Sequence, residues 1–299
     1  MRNIWKTYKY PLFFLCPWIL GVLIFQLYPI LTSLYLSFTN FGLFGEADWI
    51  GLQNYRLLFN DVRFMRAVRV TITFVFIGVP LQLVFALILA LLLNKGVPAL
   101  KFFRSVYYLP ALLGGSVAVS ILWRQIFGLN GLLNMILDSM GVPETITGIS
   151  WISNPSYSIY TLILLRVWQF GSPMIIFLAG LKQVPTELYE SSSMDGAGAV
   201  RNFTSITLPM LSPIILFNLI MQIIQAFQSF TPAFIIAGAG NLGGARDSLL
   251  LYTIYLYQMG FEFWRMGIAS AMAWIMLVGL GALTFIIFWI SKRFVFYEH

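Results

Sequence analysis

The chain is poor in charge and holds almost none of the groups on which catalysis usually rests. Among its 299 residues there are one cysteine, one histidine and only 11 acidic side chains. A lone Cys16 excludes an internal disulfide, and His299, at the last position, excludes a His/Cys metal cluster and a histidine general base. None of the lysines follows a glycine, so the chain has no Gly-x-x-x-x-Gly-Lys-Ser/Thr loop to hold ATP. Charged residues make up 10%, against roughly 25% in an ordinary soluble domain. No Asp or Glu lies inside any long apolar run. That removes the paired carboxylates of a proton relay or an intramembrane aspartyl protease, and it argues against a proton-coupled carrier.

What the chain has is apolar length: 59% hydrophobic residues and a mean hydropathy of +0.84. Apolar stretches long enough to cross a bilayer as helices, on the order of 20 residues each, occupy approximately 11–36, 68–93, 102–127, 157–181, 210–237 and 267–290. They are too long and too uniformly apolar for barrel strands. The expectation is an all-α integral membrane protein, with six transmembrane helices in a single domain over 1–299 and no soluble appendage. Arg2, Lys6 and Lys9 precede the first stretch as in a signal peptide, but no small-x-small site follows, and Phe14 and Leu15 before Cys16 do not make a lipoprotein site. The first stretch is read as an uncleaved anchor.

Lysine and arginine placement sets the orientation. Basic residues gather at the N-terminus, at Lys95, Lys101 and Arg104, at Lys182 and Arg201, and at Lys292 and Arg293. On the other side Arg56, Arg63, Arg66 and Arg246 are balanced by Glu46, Asp48, Asp61 and Asp247. Both termini are therefore predicted to be cytoplasmic. The net charge of +7 is this bias, and gives no reason to invoke nucleic acid.

One connection differs from the rest. Residues 184–209, VPTELYESSSMDGAGAVRNFTSITLP, form a hydrophilic stretch between apolar runs. Pro185 suits the start of a helix, Glu187 and Glu190 favour its positive end, and Gly196 with Gly198 permit a sharp break before a second helix resumes at Ala199. A polar helix-Gly-helix held at a membrane surface is built for docking a partner.

This stretch resembles the EAA motif of bacterial ABC-importer permeases, Glu-Ala-Ala followed by Gly and then Ile-x-Leu-Pro. The matching residues are Glu190, Asp195, Gly196, Ala197, Phe203, Ile206, Leu208 and Pro209, with Ser191 and Ser192 in place of the two alanines. Further fragments resemble the maltose-type, carbohydrate-importing branch: Trp49-Ile-Gly-Leu-Gln-Asn-Tyr55 with Asp61 and Phe64, then Tyr108-Leu-Pro110, Trp123 and Gly131-Leu-Leu-Asn134. The resemblance implies the type I importer permease fold in a bacterial inner (cytoplasmic) membrane, surrounded by lipid. It implies a second homologous permease subunit, with which this chain forms a path for a carbohydrate, an oligosaccharide, delivered by an extracellular solute-binding protein. It also implies a dimer of ATPase subunits, holding ATP and Mg, docked on the loop. This chain would itself be no enzyme and carry no cofactor or metal. The coupling residues implied are Glu187, Tyr189, Glu190, Met194, Asp195, Gly196 and Ala197. Two alternatives remain: an ABC permease for glycerol phosphate or another charged small solute, and a secondary carrier working without an ATPase.

Uncharged polarity within the apolar runs concentrates in the fifth. At helical spacing Asn218, Gln222, Gln225 and Ser229 fall within an arc of about 60 degrees. Such a stripe either bonds neighbouring helices or lines a polar cavity whose amides meet hydroxyls. Gln228 points off the stripe and is read as structural. Arg166 and Gln169 share a face of the fourth run, with Trp168 beside them; Arg166 must face protein or water, and either pairs with a partner chain or touches substrate. The family likeness places the substrate cavity between the spans flanking the loop, which singles out Trp168, Gln169, Asn218, Gln222, Gln225 and Ser229 as substrate-binding candidates.

Overall fold

The computed structural model describes residues 13–42, 45–96, 100–238 and 240–293. Arg2, Lys6, Lys9 and His299 lie outside the described residues. The described chain is helical, with one isolated bridge between Thr39 and Trp49. In chain order the helices are α1 (Phe13–Ser37), α2 (Gln53–Asn60), α3 (Val62–Asn94), α4 (Leu100–Leu113), α5 (Val117–Ile126), α6 (Leu132–Ser139), α7 (Ser158–Trp168), α8 (Gly171–Leu181), α9 (Thr186–Met194), α10 (Ala199–Phe227), α11 (Thr231–Ala237), α12 (Tyr252–Tyr257) and α13 (Met266–Ser291).

Four helices, α1, α3, α10 and α13, are each long and apolar enough to cross a membrane, and two bent pairs bring the total to six if each pair is one span. Two of the predicted stretches are bent. Between α4 and α5 the stretch predicted at 102–127 turns by 93°, and between α7 and α8 the stretch at 157–181 turns by 42°. The predicted span 210–237 is also displaced. Its helix begins earlier, at Ala199, and stops at Phe227, leaving Gln228–Phe230 as a break before α11.

The described residues fall into two compact units that interleave in sequence. One comprises the described part of Met1–Asp61 with Leu256–Gly279, and the other Val62–Tyr255 with Leu280 onward. In the first, the end of α1 is fastened by the residues of the Trp49–Tyr55 fragment. Asn54 is buried and donates through Nδ2 to the carbonyls of Ser37 (2.9 Å) and Thr39 (2.7 Å), which the helix end would otherwise leave unpaired. Tyr55 donates to Ser37 Oγ at 2.9 Å, and Trp49 stacks on Phe38 with ring centroids 5.3 Å apart. This fragment is thus a clasp. Asn54→Ala is expected to leave two buried carbonyls without their donor, at a cost of about 1–3 kcal/mol, read as a lower melting temperature of the detergent-extracted protein.

In the second unit α3 is the hub and packs on α7, α8 and α10. Its buried face includes Ala67, Thr71, Phe74, Gly78, Gln82, Ala86 and Ala90, a helical period of mostly small and polar residues. Its other face carries the exposed Ile72, Phe76, Leu81, Val84, Ile88 and Leu92. With no water to drive association inside a bilayer, small residues that admit close backbone approach belong inside, and large aliphatic ones suit lipid. One such close approach of backbones is at Gly171, where a Cβ would stand 2.6 Å from the Tyr107 carbonyl oxygen and 2.8 Å from Tyr108 Cα. The Gly131–Asn134 fragment is a second knot. Asn134 Nδ2 donates to the carbonyls of Leu129 and Ile149, both at 2.8 Å, and Oδ1 accepts from Trp151 Nε1 at 2.7 Å.

Candidate functional site

Two places in the second unit gather polar side chains, and α10 runs from one to the other.

The first is the loop expected to dock a partner. α9 carries Glu187 in its first turn, where a carboxylate suits the helix dipole. Its end is closed by Gly196, at φ 75°, whose N–H donates to Ser193 O at 3.1 Å while the Ala197 N–H donates to Ser192 O at 3.0 Å. That is the left-handed closure for which glycine is suited. Nothing lies within 4 Å of where its Cβ would be, so backbone conformation rather than space sets the requirement. Two bonds tie α9 to the start of α10: Tyr189 Oη to Thr207 Oγ1 at 2.9 Å, and Ser192 Oγ donating to Asn202 Oδ1. The serine that departs from the family pattern thus supplies a cross-link that alanine could not make. Glu187, Leu188, Glu190, Met194, Asp195 and Val200 are exposed, and Met194 is 89% so. Aliphatic tips among carboxylates form a patch suited to an apolar groove with a basic rim. The sequence missed Asn202 and Thr207, whose role depends on the angle between two helices.

The second is a cavity of about 250 Å³. It lies where three irregularities meet: the α4/α5 bend, the α7/α8 bend and the end of α10. Gln169 joins the first two, since its Nε2 donates to the Gly114 carbonyl at 3.0 Å and its own carbonyl accepts from Gln82 Nε2 at 3.0 Å. The cavity is lined by Arg166, Gln169, Gln225, Gln228, Ser229 and Thr231, with Phe74, Leu162 and Leu165 among its apolar walls.

Of the six candidate residues, Gln169, Gln225 and Ser229 line this cavity. The other three do not. Asn218 is fully buried and donates to the Ile214 carbonyl at 3.2 Å. Gln222 is buried and accepts from Arg166 Nη2 through both its carbonyl (2.7 Å) and Oε1 (3.0 Å). Trp168 packs on Trp123, with ring centroids 6.1 Å apart. The stripe therefore divides: its lower half is buried, with Gln222 bonded across to α7, and its upper half faces open space. Gln228, read as off the stripe, belongs to the lining. The helix stops at Phe227, so 100° per residue no longer places Gln228 and Ser229, and Ser229 reaches the cavity from the break rather than from a helical turn.

Arg166 sits in the last turn of α7 with 7% of its surface exposed. The Phe74 ring lies 5.9 Å from its guanidinium carbon, and Gly78 on α3 leaves room for its Cδ, which would stand 3.4 Å from a Cβ there.

Long apolar helices, a polar cavity bounded by broken ones, and an exposed acidic-aliphatic helix linked to that cavity by a continuous helix define a membrane transport subunit that works with partners. Residues 59–296 match the model of the family described as binding-protein-dependent transport system inner membrane component, and the chain belongs to that family. It is 49% identical to the probable ABC transporter permease protein YesP of Bacillus subtilis (strain 168), over 95% of this chain and 91% of that one. It is 34% identical to the arabinooligosaccharides transport system permease protein AraP of the same organism, over 90% and 84% respectively. A crystal structure of a bacterial ABC transporter involved in the import of the acidic polysaccharide alginate contains a chain of the same fold, at TM-score 0.82 and 23% identity, covering 97% of this chain and 99% of that one.

Proposed function

We propose that this permease carries a carbohydrate, an oligosaccharide, through a path it forms with a second homologous permease. In this reading an extracellular solute-binding protein delivers the sugar and a dimer of ATPase subunits, holding ATP and Mg, drives the cycle from the cytoplasm. The observation that carries it is the cavity lining, in which three glutamine amides and two hydroxyls supply donors and acceptors in numbers suited to a polyol surface. The names of relatives such as the arabinooligosaccharide permease support the same class.

The mechanical link rests on α10. Its 29 residues span roughly 40 Å at helical rise. At one end they are bonded to α9 through Asn202 and Thr207, and at the other they present Gln225 to the cavity. A push on α9 by a moving ATPase is carried along this rod to the lining. No chemistry is required of the chain, only transmission.

Co-expression with an ATPase and a second permease should yield a complex whose ATP hydrolysis is stimulated by sugar-loaded binding protein. Recovery of a chain that transports alone would favour the secondary carrier. The topology in this proposal places the α9 loop and both termini inside. With Cys16 replaced by serine, cysteine at Lys95 should react with an impermeant maleimide only from the cytoplasm, and cysteine at the exposed Met140 only from outside. The reverse labelling would overturn the orientation.

A further inference from the structure

Arg166 has more donors than the protein uses. The two hydrogen bonds it makes to Gln222 both leave from Nη2, and the buried Nε has no partner among the described residues. A guanidinium offers five N–H groups. No carboxylate lies within ion-pair distance of it among the described residues, and no acidic residue lines the cavity into which it faces. A buried cation without a counter-charge is costly. Among the described residues it is stabilised by the Gln222 oxygens and the Phe74 ring.

We infer that Arg166 is the recognition site for a carboxylate on the transported sugar, so that the substrate is an oligosaccharide bearing a uronate. This rests on the carbohydrate reading above and narrows it. An anion entering the cavity would meet the guanidinium beside neutral amides and hydroxyls, a charged contact for the carboxylate and hydrogen bonds for the ring hydroxyls. Among the described residues that line the cavity Arg166 is the one cation. That balance suits a monoanion and leaves a phosphate dianion half-neutralised. A carboxylate from a partner chain would have to enter by the same cavity, because this chain's own α3 and α10 cover the other sides of Arg166 through Phe74 and Gln222. Such a group would have to fill the cavity itself.

The test uses the assembled complex of both permeases and the ATPases in lipid nanodiscs, without the binding protein, so that the selectivity measured is the membrane subunit's own. Binding by calorimetry is compared for cellobiouronate and cellobiose, for galactose-based disaccharides differing in the same single carboxylate, and for glucose 1-phosphate. The wild type should bind the uronate of a pair at least tenfold more tightly than its neutral twin. In Arg166→Gln the ratio should fall towards one, and Arg166→Lys should keep part of it as a bare charge without the planar fork. A wild-type ratio near one overturns the inference even if neither variant assembles. So does tighter binding of the phosphate than of either uronate. Equal loss of both members of a pair in Arg166→Gln, with reduced recovery of the second permease, would assign the residue to the partner chain instead. Absence of binding by every one of these sugars, glucose 1-phosphate included, would remove the carbohydrate reading itself, a failure distinct from a neutral sugar binding as well as its uronate.

Discussion

Gly196→Pro is expected to lower substrate-stimulated ATP hydrolysis of the assembled transporter roughly 100-fold while the permease remains inserted. Gly196 holds φ at 75° and donates its N–H to Ser193 O. Proline fixes φ near −65° and has no N–H, so both features are lost, at about 3 kcal/mol or more. That corresponds to about two decades in a docking or coupling equilibrium. The affected structure is the closure of α9, and with it the angle that lets Tyr189 and Ser192 reach Thr207 and Asn202. A graded series separates this cause from crowding. Gly196→Ala meets open space and should cost only the backbone conformation, about 1–2 kcal/mol, giving partial coupling. Gly198→Ala, at φ −77°, should behave nearly as wild type. Full stimulation in the proline variant would remove α9 from the coupling path.

The loop could be read in the sequence because its grammar is local. A helix start, a glycine stop and a restart depend on residues a few positions apart, and Gly196 adopts the conformation its neighbours require. The six apolar runs were legible for the same reason. The bends within two of them were not, because they are set by contacts between distant segments. Gln169 reaches back to Gly114, and Gln82 reaches forward to Gln169. Nothing near Gly114 announces that a glutamine 55 residues later will bond its carbonyl. The cavity was half legible. Helical geometry placed Gln225 correctly and failed at Gln228, one residue past the end of α10. The Trp49–Tyr55 and Gly131–Asn134 fragments showed a different limit. They stood out as family-like, yet their asparagines and tryptophans hold helix ends and loops together.

The division of the glutamine stripe predicts opposite phenotypes for residues one turn apart. Gln222→Leu removes the Oε1 that accepts from Arg166 and leaves a buried guanidinium with a single carbonyl, at a cost of about 1–3 kcal/mol and more if the charge is stranded. It should appear as a lower melting temperature and a smaller yield of assembled complex. Gln225 is exposed to the cavity and its side chain makes no hydrogen bond among the described residues, so Gln225→Leu costs the fold little. A bound sugar would instead lose a partner for a buried hydroxyl, worth about 1–3 kcal/mol, and the half-saturating substrate concentration should rise about tenfold or more. Gln228→Leu should match Gln225→Leu, since both amides line the same space. Uptake measured across a range of substrate concentrations, beside melting temperature and complex yield for each variant, separates the two effects. An affinity loss confined to Gln222→Leu, with Gln225→Leu and Gln228→Leu transporting as wild type, would move the sugar site away from this cavity and reduce the amides around it to packing.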